Sequence, residues 1–273
     1  MRKFFQFIGI FSLALGSFFY TNKIIDLTRN YDDLLAVIND VSLDYYVSSI
    51  DGEVLGLDFI PGINGREVDV EKSYNNMKGY GIFDKNKLLY KDIIPNNTLS
   101  DNIGKYIVSG NKNRNRVGLI FLLDLDFDVK NIVDLLSKKN VSASFFADSD
   151  WLVKNESMLK YLVNNNFVVG SLDYSNGSDT MIKNVTGKKY GYCFTREYDS
   201  SSLKSCKINY NYMIKPSIFF NGNLSSVKSS VENGSIIVIN SFDVSKIGVL
   251  INYLKGKGYE IVNLDDLLLE YFE

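Results

Sequence analysis

The chain contains no histidine. Histidine is the only side chain whose unperturbed pKa falls in the physiological range, and it is the commonest metal ligand. Its absence excludes Ser-His-Asp and Cys-His nucleophile systems, and with them the His-rich type of catalytic zinc site. What survives is carboxylate chemistry, lysine chemistry or no chemistry. The chain also lacks an excess of either charge. Its 30 Lys and Arg stand against 32 Asp and Glu, for a net charge of -2 and a pI near 5.4. The Lys residues are scattered among acids, so the basic footprint that nucleic acid requires is missing and no such partner is expected.

What is present suits a folded protein. A composition of 45% hydrophobic and 23% charged residues is far from the signature of disorder. The 273 residues have room for one domain of roughly 150 to 200 residues with an N-terminal extension.

Residues Phe4 to Tyr20 form an apolar run behind Arg2 and Lys3, interrupted only by Gln6, Ser12, Ser17 and Tyr20. As a helix it would rise about 26 Å, at the short end of what spans a hydrocarbon core of roughly 30 Å. The positive flank places the N-terminus in the cytoplasm and the remainder outside. Residues 1–22 are therefore expected to be a retained signal anchor, with a cleaved signal peptide using Ala14, Leu15 and Gly16 as the other reading. Residues 23–41 form a juxtamembrane helix. Ile24, Leu27, Tyr31, Leu34 and Ile38 carry a/d spacing over about two heptads, which fits either packing on the chain's own domain or a homodimer through residues 24–38.

Residues 42–115 read as a small accessory module or stalk, with a hairpin turn at Asp51-Gly52, a loop around Pro61 to Gly65, a helix over Val70 to Met77 and a strand over Lys105 to Val108. The polar run Ser109 to Arg116 marks a boundary. From Val117 strands and helices alternate: strands at Val117 to Leu123, Val141 to Ala147, Phe167 to Gly170, Lys189 to Thr195, Tyr210 to Lys215, Ser235 to Ile239 and Tyr259 to Val262. The helices expected between them lie at Val129 to Lys139, Trp151 to Asn165, Ser200 to Cys206, Leu224 to Glu232 and Val244 to Lys255, with Asp265 to Tyr271 closing the chain. Repeated units of this kind specify an α/β fold, a parallel sheet covered by helices, open or curled into a barrel.

Five stretches in this region share order and spacing with one family. They are VSASFFA at Val141 to Ala147, WLVKN at Trp151 to Asn155, Val169-Gly170, GSIIVI at Gly234 to Ile239, and YLKGKGY at Tyr253 to Tyr259 followed by Val262 to Leu264. On these, residues 116–273 resemble the NodB-homology polysaccharide deacetylases, carbohydrate esterase family four. The resemblance implies an irregular (β/α) barrel that removes acetyl groups from chitin-like or peptidoglycan glycans with a divalent metal.

The family's chemistry does not carry over. Its T-F-D-D-G motif, which supplies the general base and one metal ligand, falls on Ile120 to Asp124, so that Leu122 and Leu123 replace both carboxylates. Its H-x-x-x-H motif falls on Leu172 to Asn176, and the general-acid His of L-L-H falls on Asn240. No counterpart of R-x-P-Y stands near Phe194, where Thr195, Arg196, Glu197 and Tyr198 occur. Metal activation of water needs several electron-rich ligands, and Leu offers none. The expectation is a deacetylase-like protein without catalytic residues, metal or other cofactor. Leu122, Leu123, Leu172, Asn176 and Asn240 would line a vestigial groove, and the partner would be peptidoglycan or another envelope glycan, or a protein. The competing readings are a metal-independent carboxylate hydrolase using Asp124, Asp173, Glu197 or Asp243, and a purely structural envelope component.

Asp124, Asp126 and Asp128 alternate at a strand exit, where a polar strand end with Asp128 as helix cap is the simpler alternative to a calcium cluster. Tyr174 and Tyr198, at strand ends, are either core residues or platforms for sugar rings. Cys193 and Cys206, an even count in a chain expected to be exported, sit on a strand and at the end of the next helix. They are expected to form a disulfide worth roughly 2 to 4 kcal/mol, and separate buried thiols are the other reading.

Overall fold

The computed structural model describes residues 9–21, 33–123, 129–173, 177–241 and 243–272. The chain divides into two compact units and enters them alternately. It starts in the smaller unit with α1 (residues 9–21) and α2 (Asp33–Ser42). Residues Ile50–Asn64 belong to the larger unit, where β1 (Glu53–Leu55) and β2 (Asp58–Ile60) form an antiparallel hairpin. In the smaller unit follow β3 (Gly65–Val68), α3 (Val70–Met77) and β4 (Tyr90–Ile93), with β3 antiparallel to β4. From Ile94 to Tyr271 the chain stays in the larger unit, beginning with β5 (Tyr106–Ile107).

Within the smaller unit, the Asp69 carboxylate accepts a bond from the Lys72 N–H at 3.0 Å and starts α3. Leu34, Ile38, Val68, Met77 and Leu88 form its core. Leu34 and Ile38, expected as part of a dimer seam, are thus spent on the chain's own unit, and residues 22–32 of that seam lie outside the described residues. The first part of the apolar run, residues 4–8, also lies outside them. Among the described residues no helix is long and apolar enough to cross a membrane.

The larger unit continues with β6 (Arg116–Leu123), α4 (Val129–Lys139), β7 (Ser144–Ala147), α5 (Ser149–Lys154), α6 (Glu156–Asn164), β8 (Val168–Leu172), α7 (Ser178–Thr186), β9 (Gly191–Phe194) and α8 (Ser200–Ile208). Then come β10 (Asn211–Ile214), β11 (Ile218–Phe220), α9 (Ser225–Ser230), β12 (Ile236–Ile239), α10 (Val244–Gly256), β13 (Glu260–Val262) and α11 (Leu264–Leu267). The sheet runs β1-β2-β5-β10-β9-β8-β7-β6-β12-β11, and every pair but β1–β2 is parallel. β13 pairs with the start of β6, Arg116 to Gly118, while β7 takes its later half from Ile120. The sheet curls as a half-barrel, and among the described residues it does not close, since β11 pairs there only with β12.

Period-two alternation divides the apolar strand residues between two cores. Phe121, Phe145 and Ile237 face the helices, packed on the α4 stripe of Val129, Ile132, Val133 and Leu136 and on Ile247, Leu250 and Leu254 of α10. Phe121 stacks on Phe145 with centroids 5.2 Å apart. Ile120, Phe146, Phe194, Ile214 and Val238 fill the inside of the curl.

Three expectations need correction. The module at 42–115 is not one unit: β1, β2 and β5 join the large sheet, because β5 supplies the parallel edge between β2 and β10. The hairpin turns at Gly56, with φ +65°, and not at Asp51-Gly52. Gly52 instead lies so close to the Phe59 ring that a Cβ would stand 2.6 Å from it. The single helix over 151–165 is broken at Asn155 (φ −124°, ψ 36°), whose side-chain Nδ2 donates to the Trp151 carbonyl at 3.0 Å.

Candidate functional site

β6, β8 and β12 end side by side with β7, and their C-terminal ends carry the positions where the resemblance expects chemistry. Leu122 is level with Phe146 of β7, which is in turn level with Gly170 of β8; Leu172 is level with Phe194 of β9. Leu172 is 1% exposed and joins Ile120, Phe146 and Phe194 in the inner core, and the half-buried Leu122 packs on the same cluster. Leu123, one residue further, points the other way and is buried among the helix-facing residues. It therefore does not line a groove. Asn240 is exposed, and its N–H donates to the Phe220 carbonyl at 3.0 Å. Asn176 and Asp124, like Asp126, Asp128 and Tyr174, lie outside the described residues.

Of the acids proposed for a hydrolase, Glu197 is exposed, and Asp173 and Asp243 have other partners. Asp173 (φ 49°) receives the Arg196 N–H at 3.1 Å and pairs with the Arg196 guanidinium, which ties the exit of β8 to the exit of β9. Asp243 caps α10, accepting from the Ser245 and Lys246 N–H groups at 2.9 and 3.3 Å. Tyr198 packs edge-on against Tyr106 and Phe194, with centroids 5.8 and 6.3 Å away, and burial raises its phenol pKa. It is an aromatic packing residue here. Cys193 of β9 and Cys206 of α8 are joined as a disulfide, with Cα atoms 6.3 Å apart.

A catalytic divalent metal needs three or so N, O or S donors converging on one point. The described residues at this end offer two Leu side chains in apolar contact, one exposed Asn, and the carboxylates of Asp173 and Asp243, which are held by Arg196 and by the start of α10; no group of three His, Cys, Asp or Glu among the described residues could hold an ion. Among the described residues the donor set does not fit the family's metal.

No family model matches the chain. Among curated proteins, uncharacterized protein YlxY of Bacillus subtilis is 29% identical over 132 residues, 47% of this chain, and the chain spans only 40% of that relative's length. Among solved structures, BA3943 of Bacillus anthracis, a CE4 family pseudoenzyme, superposes with a TM-score of 0.65 over 89% of this chain and 97% of its own, at 24% identity. The fold is that of the family 4 carbohydrate esterases. A mutant of BA3943 with restored enzymatic activity superposes equally well, with a TM-score of 0.65. The Bc1960 peptidoglycan N-acetylglucosamine deacetylase matches at 0.52 over 60% of this chain and 92% of its own, at 21% identity. The BA3943 match takes in more of this chain than the larger unit contains, so it extends into the smaller one.

The sequence suggested these positions, because substitutions within a recognisable motif order can be read residue by residue. It missed that Leu122 and Leu123 face opposite cores, which the alternation along β6 would have indicated.

Proposed function

We propose that the chain is a non-catalytic member of the polysaccharide deacetylase family that binds envelope glycan outside the cell without turning it over. The observation that carries this is the pair Leu122 and Leu172. Where the fold would present a base and a metal ligand, two apolar side chains complete the inner core. A polar or charged group there would need compensating partners that the neighbours Ile120, Phe146 and Phe194 do not offer. Glycan is favoured as the ligand because Bc1960, which shares the fold, acts on peptidoglycan N-acetylglucosamine. Residues 4–20 would tether the protein to the membrane. The exposure of Phe11, Leu13, Phe18 and Phe19 on α1 supports that role, since lipid would cover them.

The test is co-sedimentation of the purified chain with insoluble peptidoglycan, with acetate assayed in the supernatant after adding zinc or cobalt. The expected result is bound protein and no acetate above a heat-denatured control. Acetate release that a chelator abolishes would overturn the reading.

A further inference from the structure

The opposite end of the same strands gathers a second set of polar and aromatic side chains. β9 and β10 pair along their whole length from Gly191↔Asn211, but β8 and β9 are paired only at Ser171↔Cys193 and Leu172↔Phe194. Around the unpaired beginnings of β8 and β9, a cavity of about 440 Å³ opens between α7, α11 and the strand starts, with Val169 and Ile182 among its apolar lining. Neighbouring depressions of about 610 Å³ and 270 Å³ share residues with it. Asn166, Phe167 and Asp266 line the first pair in common; Tyr190, Tyr192 and Asp265 line the second. The run of three suits an extended ligand better than a compact one.

Asn211 lines this cavity at 2% exposure, and its Oδ1 is buried with no hydrogen-bond partner among the described residues. Gly191 leaves room for it, since a Cβ there would stand 3.0 Å from that oxygen. An unmade bond on a buried carbonyl is a cost that a ligand O–H or N–H would relieve. Beside it, Tyr190, Tyr212 and Tyr192 form a tilted row, with successive centroids 6.0 and 6.2 Å apart and Tyr190 39% exposed. The C–H faces of pyranose rings stack on such surfaces.

Charge decides the ligand class. Both lysines of the cavity are already countered: Lys188 pairs with Asp265, and Lys183 lies 3.7 Å from Asp179. Tyr192 donates its hydroxyl to Asp265 at 3.0 Å. Lys189, in the outer depression, rests over the Tyr190 ring at 5.1 Å. With Asp266 in the lining as well, the carboxylates of Asp179, Asp265 and Asp266 balance Lys183, Lys188 and Lys189, so these residues give the groove no net charge to select an anion.

We infer that this groove at the N-terminal ends of β8, β9 and β10 binds a short neutral oligosaccharide, donating to Asn211 and stacking on Tyr190. The inference rests on the glycan-binding reading above and assigns it a place on the molecule. The test titrates the full chain with tetra-N-acetylchitotetraose by calorimetry, beside Asn211→Leu, Tyr190→Ala and Leu122→Ala. Because Asn211 is buried, the exposed Tyr190→Ala gives a variant expected to fold, and far-UV circular dichroism checks both.

Saturable binding that weakens tenfold or more in Tyr190→Ala and in folded Asn211→Leu, but is unchanged in Leu122→Ala, supports the inference. Binding that survives both groove variants overturns it and leaves the glycan reading standing. Absence of binding to the unmodified chain overturns the inference, and co-sedimentation with peptidoglycan then decides the glycan reading separately. Displacement of the sugar by equimolar inorganic phosphate overturns the neutral class.

Discussion

The two ends of one curled sheet have opposite chemistry. At the C-terminal ends of β6 and β8, Leu122 and Leu172 continue the inner core, while at the N-terminal ends of β8 to β10 stand Tyr192, Asn211 and the Asn263, Asp265, Asp266 cap of α11. The difference shows how little of a barrel's framework depends on its site. Strand pairing and the helix-facing core are indifferent to which side chains stand at strand ends. Leu at an inward strand end even adds roughly 1.5–3 kcal/mol of burial. An end can lose its polar residues and strengthen the scaffold, whereas a polar end persists only where each group finds a partner or a ligand.

The largest way to break the contrast is Leu172→Asp. A carboxylate among Ile120, Phe146 and Phe194 has no cation to meet, so unfolding in urea should show a loss of about 4 kcal/mol or more. Stability equal to the parent would mean that this end is wet, and the contrast would fall. Reduction of Cys193–Cys206, which ties β9 to α8, should cost about 2–4 kcal/mol, read from thermal unfolding with and without reductant.

Asn263→Ala sharpens the comparison at the other end. The Asn263 side chain accepts from the Asp266 N–H at 3.0 Å and donates to Ser142 Oγ and the Asn166 carbonyl, each at 3.2 Å. Its loss should cost about 1–2 kcal/mol, with the urea slope unchanged.

The smallest effect is one of pH. Burial, then the negative charge of Asp265, raises the Tyr192 phenol well above its ordinary 10, and burial pushes Tyr212 up to about 12. A group raised in the folded state holds its full stability contribution below pH 10 and loses it as pH climbs beyond. Stability should therefore fall above pH 10, and Tyr192→Phe should flatten that fall while costing about 1 kcal/mol at neutral pH. An equal alkaline fall in both proteins would place Tyr192 in water.

Local signals were legible in the sequence and long-range ones were not. Val70–Met77 and Val129–Lys139 are helices with the expected ends, since apolar spacing, with Asp69 as the cap of the first, makes those bounds local. α7 escaped notice because its sequence is polar and only Ser178 and Ile182 are buried. β5 has two residues and gains its meaning from β2 and β10, far away in sequence, so the true unit boundaries had no local mark. The Leu122 end could be read because its residues fall in ordered motifs. The Asn211 cavity could not, because it is assembled from α7, α11 and three strand starts that share no spacing pattern.

The central proposal is that the deacetylase position of this fold, where Leu122 and Leu172 stand, binds no metal. Equilibrium dialysis of the full chain against zinc, using protein without a polyhistidine tag because the natural sequence contains no histidine, tests it most directly. The account predicts no retained stoichiometric zinc. One zinc retained per chain, and lost when Leu122 or the residues beside it are changed, would contradict it.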